Sequence, residues 1–306
     1  MSIVRPDLNL VIELYSSALP DFVFILKKIE SEHKWIKFTH RLYELMTRLK
    51  CDNYPELYQD ENRIVTALLR TQFENDDKIN EFIESQKAKS VEEQITELNE
   101  FFLETSEFGQ VIEENMLHLD ELDWSADGQA NAKLEWEKLT SEEQQQALRH
   151  GQYGLMFVLA SFYNYFAVMV HGRKLTQLVA EAIAGNDNSY CLAIHIDKSI
   201  LDRIPYFKER HQRALNNGEQ YFLEALGRWH AKPQLTSKIR HPLLYMLFAL
   251  LDGCQWLDTL KHREILDICD RLNLDRYENR IETENALTKR LNEYLKFQKN
   301  NTKYMP

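Results

Sequence analysis

Ten histidines are the side chains of this 306-residue chain best suited to chemistry near neutral pH, because imidazole changes charge in that range and also ligates metals. Their spacing supports little of it. A zinc protease would show His-Glu-x-x-His, which sets two ligands on one helix face with a general base between them, and a di-iron bundle would repeat Glu-x-x-His on two helices. The first pattern is absent and the second occurs once, at Glu30-Ser-Glu-His33. We therefore expect no metal site and no cofactor. Phosphate-cradling glycine loops, the dinucleotide fingerprint and the Gly-x-Ser-x-Gly elbow are also missing. One cluster remains as a catalytic candidate: His171, His195 and Asp197, with Arg213 as a charge to complete it. A triad is defined by geometry and not by order along the chain. The simpler reading of the same residues is a capped helix end followed by a polar loop, so an enzyme is not the leading expectation.

The second group with chemical potential is basic. Between Lys198 and Arg240 nine Lys and Arg face four Asp and Glu, a balance of +5. Arg203, Lys208, Arg210 and Arg213 cannot all share one narrow helix face. Arg210 and Arg213, three apart, could still present a fork to a phosphate. Lys289 and Arg290 fall on a helix spanning Glu282 to Phe297, which with His262 to Leu274 offers a second nucleic-acid reading as a helix-turn-helix. The connection from Asn273 to Ile281 is long for that motif, and an ordinary helical hairpin explains the pattern as well.

These residues have to be positioned by helices. Glycine numbers 9 and proline 7, too few for the tight turns of a β-rich chain. Apolar residues at three and four spacings predict one long helix, or two in line, from Asp21 to Lys50, with Pro20 just ahead, and shorter helices up to Phe102. Thr140 stands three before Glu143, the spacing of a capping box. From Gly151 to Val170 no charged residue and no histidine occurs. That length matches a bilayer span of about 20 residues, but Gln152, Ser161 and Asn164 interrupt the run and the flanking charges show no bias. A buried core helix is the expectation, with no membrane partner. Further helices follow to Phe297. Ser189 to Ile196 shows a β-like alternation too isolated to name a strand, and the stretch around Ala214–Leu226 faintly resembles one tetratricopeptide unit without the repeat that such units need. The fold class expected is all-α, a multi-helix bundle around the apolar helix 151–170.

Charge divides the chain. Residues 1–150 hold 16 Lys and Arg against 31 Asp and Glu, a net of −15, while residues 151–306 hold 21 against 17, a net of +4. We expect an acidic N-terminal lobe, 1–125, and a C-terminal lobe, 126–306, that is mildly basic. Four scattered cysteines without a Cys-x-x-Cys pair suit a reducing cytoplasm. The expected function is that of a non-catalytic, cytoplasmic interaction or regulatory protein. Its partners would be a basic protein docking on the acidic lobe, or a second copy meeting an aromatic-rich interface. Nucleic acid at the C-terminal half is the rival.

Overall fold

The computed structural model describes residues 5–29, 32–51, 53–71, 73, 76–90, 93–94, 96–97, 126–232 and 239–299. Among these residues every regular element is an α-helix or a 3-10 turn and there is no strand, so the all-α expectation holds. Contacts group the chain into two compact units, one of Met1–Ser31, Pro55–Asp60 and Ser161–Pro306, the other of Glu32–Tyr54 and Glu61–Ala160. The division expected between residues 125 and 126 adjoins residues outside the described set.

Helix α1 runs over Leu8–Ile29 with Pro20 inside it, which corrects the expected start at Asp21. Pro20 has no N–H for the carbonyl of Ser16, a loss of about 3 kcal/mol in a helix interior. Yet Val11, Tyr15, Phe22, Ile25 and Leu26 are buried along one stripe on both sides of it, with Pro20 itself exposed. Each such side chain contributes about 1.5–3 kcal/mol on burial, so the stripe outweighs the missing bond and the helix continues.

The second unit contains α2 (Glu32–Arg48), α3 (Glu61–Leu69), α4 (Asp76–Lys87), α5 (Ala126–Lys138) and the part of α6 (Ser141–His171) that ends at Ala160. Its buried side chains include Phe38, Leu42, Ile64, Leu69, Ile79 and Leu159. The capping box forms as expected: Glu143 Oε2 accepts from Thr140 N and Oγ1 at 2.7 and 2.8 Å, and Thr140 Oγ1 accepts from Glu143 N at 3.3 Å. No residue from Gly151 to Val170 is exposed. Its polar residues explain themselves within each unit: Gln152 Nε2 donates to the Leu49 carbonyl at 2.8 Å, and Asn164 Oδ1 accepts from Thr176 N at 3.0 Å. Leu8–Lys28 and Ser141–His171 are each long and apolar enough to cross a bilayer, a test that a buried core helix also passes.

The first unit continues with α7 (Leu175–Ile183), α8 (Asp187–Ile196), the single turn α9 (Ile200–Arg203), α10 (Pro205–Asn217), α11 (Gln220–Ala231), α12 (Pro242–Gly253), α13 (His262–Arg271) and α14 (Glu284–Lys299). Asn164 supplies the amide cap that Lys174, at the start of α7, cannot. The stretch with β-like alternation is helix α8, started by Asn186, whose side chain accepts from Asn188 N and Ser189 N. Ser189 to Ile196 are all buried, between neighbours that include α7 and α11. Gly185 and Gly218 end α7 and α10 at φ of 100° and 65°, conformations that a Cβ disfavours. The start of α12 is satisfied from afar: Glu278 Oε2 accepts from Leu243 N at 2.9 Å and Oε1 from Leu244 N at 3.1 Å, a carboxylate at the positive end of the helix dipole. Helix α1 lies against α12 and α13, with the Tyr15 hydroxyl donating to the Leu243 carbonyl at 2.7 Å and Arg271 Nη2 to Asn9 Oδ1 at 2.7 Å.

Candidate functional site

Two helix ends bring the expected histidines together. His171 is the last residue of α6, and His195 stands one residue before the end of α8. His171 Nε2 and His195 Nδ1 are 3.0 Å apart, so one nitrogen carries the proton and the other offers its lone pair. His195 is fully buried and His171 keeps a partial edge in solvent. Trp229 of α11 closes the cluster edge-on, its ring centre 5.7 Å from that of His171 and 5.1 Å from that of His195. Lys232 Nζ lies 4.4 Å from the centre of the Trp229 ring. Burial, followed by the charges of His195, Arg173 and Lys232, holds His171 well below the ordinary imidazole range. At neutral pH His171 is therefore uncharged.

Asp197, the third expected member, is buried two residues on, where it caps α8 and its Oδ1 accepts from Ser199 N at 2.9 Å and Ser199 Oγ at 2.7 Å. That is the bonding of a turn builder. Arg213 is exposed on α10. The pair of rings is assembled, while the Arg213 side chain is directed to solvent. Other groups point away from nucleophilic chemistry. Burial pushes the Cys191 and Cys269 thiols up to about 12 and also raises Cys254, whereas a reactive cysteine needs a depressed value.

The basic candidates separate into two kinds. Arg203, Lys208, Arg213 and Lys289 are exposed. Arg210 instead meets Asp187 through two bonds of 3.1 and 2.9 Å and Glu219 through one of 2.8 Å, with its guanidinium 4.0 Å from the centre of the Phe222 ring. Arg290 donates to Glu293 at 2.7 Å. The expected fork of Arg210 with Arg213 is thus drawn from a residue whose charge already meets two carboxylates.

Some of this was not anticipated in the sequence. Buried Arg173 pairs with Glu181, whose Oε2 also accepts from Ser189 Oγ at 2.5 Å. Glu181 and Ser189 stand eight residues apart on either side of the stop at Gly185, where α7 and α8 fold back on each other. Trp229 joins the histidines from 34 residues beyond His195, with no local signature. The side chain of His33 lies outside the described residues. Among the described residues no group of three or more His, Cys, Asp or Glu could hold a metal ion. Comparison with protein-family models, with curated proteins and with solved structures found no match.

Proposed function

We propose that this protein is a non-catalytic helical docking protein of the cytoplasm, whose acidic unit receives a basic macromolecular partner. The observation that carries this reading is where the charge resides. The unit made of residues 32–54 and 61–160 has 13 Lys and Arg against 25 Asp and Glu, a net of −12, whereas the other unit has 24 against 23, a net of +1. The whole chain carries −11, so these sequence segments account for the excess, and 11 of their acids lie outside the described residues. Acid concentrated in this way raises the encounter rate with a basic surface and repels nucleic acid.

Described acids in that unit that are matched locally include Asp76 by Arg70, Glu84 by Lys87, Glu97 by Lys89 and Glu137 by Lys133. Asp77, Glu81 and Glu93 are exposed as well, and these would meet a partner. The protonated thiols favour a binding role over a catalytic one. The near-neutral balance of the other unit, with Arg210 and Arg290 engaged internally, favours a protein partner over nucleic acid.

The test is a binding titration of the full chain with two probes, a 20-residue peptide of alternating lysine and glycine and a duplex DNA of 20 base pairs. The peptide should bind, more weakly as salt rises, and the triple substitution Asp77→Lys, Glu81→Lys, Glu93→Lys should weaken it about tenfold. Binding of the duplex without the peptide would overturn the proposal and favour the exposed Arg203, Lys208 and Arg213.

A further inference from the structure

We propose that the hydrogen-bonded His171–His195 pair is a proton-sensitive latch, holding the carboxyl end of α6 to α8 at neutral pH and releasing it when the pair takes up protons. The geometry makes the pair intolerant of charge. A contact of 3.0 Å between two ring nitrogens needs one donor and one acceptor, so a second proton leaves two N–H groups facing each other. The first proton keeps the bond but places a cation among groups of its own sign.

The turn after α6 brings Arg173, whose own carboxylate is Glu181. The end of α11 brings Trp229 and, just beyond it, Lys232. On the end of α8, Asp197 has its Oδ1 held by Ser199. From the far side, the last turn of α14 reaches the residue that follows His171: Gln298 Nε2 donates to the Gly172 carbonyl at 2.8 Å. Both helix ends carry the partial negative charge of a C-terminus, which favours an imidazolium. Burial and the two neighbouring cations act in the opposite direction and prevail at His171.

The sign follows from linkage. A histidine whose folded value lies below its unfolded one contributes stability that is complete above the unfolded value, near 6.5, and is lost as pH falls below it. Between pH 8.0 and 6.0 the opening equilibrium should therefore rise about fourfold if one imidazole is excluded from protonation and more than tenfold if both are. At pH 6.0 the protein remains above its isoelectric point of about 5.5.

The experiment is amide hydrogen exchange of the full chain at pH 8.0 and 6.0, corrected for intrinsic chemistry and read on peptides covering residues 168–174 and 226–232. We expect faster opening of both segments at pH 6.0, by at least fourfold, and no such change in the double variant His171→Gln, His195→Gln. Equal protection at the two pH values, or an equal acceleration in the double variant, would overturn the latch. Ring-nitrogen NMR of the unsubstituted protein supplies an independent test that needs no variant. His171 should remain neutral below pH 6, and a half-titration at the ordinary value of about 6.5 would also dispose of the proposal.

Discussion

The α-carbon of Gly172 faces the ring of Phe297 so closely that a methyl group there would stand 2.6 Å from Phe297 Cδ2. Gly172 also holds φ at 68°, a conformation that costs a residue with a Cβ about 1–2 kcal/mol. The glycine therefore serves both the sharp stop of α6 and the seat of α14. We predict that Gly172→Ala destabilises the protein by about 2–4 kcal/mol, the sum of backbone strain and overpacking. In a Phe297→Ala background the same substitution should cost only the strain. Urea unfolding of the four proteins of this cycle measures the difference, and an additive cycle would contradict it.

Arg210 joins two carboxylates and an aromatic face. Replacing it by Met keeps the stem but leaves Asp187 and Glu219 facing each other across the site, with side chains 29% and 33% exposed. That exposure lets water screen the repulsion, so the expected loss is about 1–2 kcal/mol and not the 3–5 kcal/mol of a fully buried pair. Arg210→Lys should recover less than half of it, because an ammonium cannot bond both oxygens of Asp187 in parallel. Thermal unfolding of the two variants would show this order.

The capping box at the start of α6 gives a pH test. Bonds from Thr140, the backbone N–H first, hold the Glu143 carboxyl below its usual range. A lowered value in the fold means a contribution that is complete above the unfolded carboxylate range and fades as pH drops through the depressed value. Thr140→Ala should lower stability by about 1 kcal/mol at pH 7. At pH 3 the variant and the parent should differ by less, as read by circular dichroism during unfolding.

With thiols pushed up to about 12, Cys191 and Cys269 should resist alkylation. At pH 8.0 the thiolate fraction would be about a thousandfold smaller than for a cysteine near 8.5. Iodoacetamide labelling followed by peptide mass mapping should find both residues modified more than a hundredfold more slowly in the native protein than in denaturant. Rapid native labelling of either would show that its environment is open.

Much of the framework was legible in the residues themselves. The uncharged run from Gly151 marked a buried helix because charge is tolerated there least. Thr140 with Glu143 marked a helix end through a local bonding need that sequence displays directly. Two elements were harder. Pro20 is a strong local stop, and only the burial of Val11 and Tyr15, fixed by distant neighbours, carries the helix through it. Ser189 to Ile196 shows no polar face since every residue is buried, so helical periodicity has nothing to contrast with. At the candidate site the sequence suggested His171 and His195 but not Trp229 or Arg173, because their meeting depends on how α6, α7, α8 and α11 cross.

The long reach between Tyr15 and Leu243 has a consequence for biosynthesis. The hydroxyl and the carbonyl that receives it are 228 residues apart, and the carboxylate that seats the start of α12 arrives later still, at Glu278. Helix α1 is therefore made well before α12, and its contacts with that helix wait until residues 242–253 emerge. Closure of the unit that contains α1 has a large loop to bridge, which slows folding and lengthens the stage that a chaperone would shield.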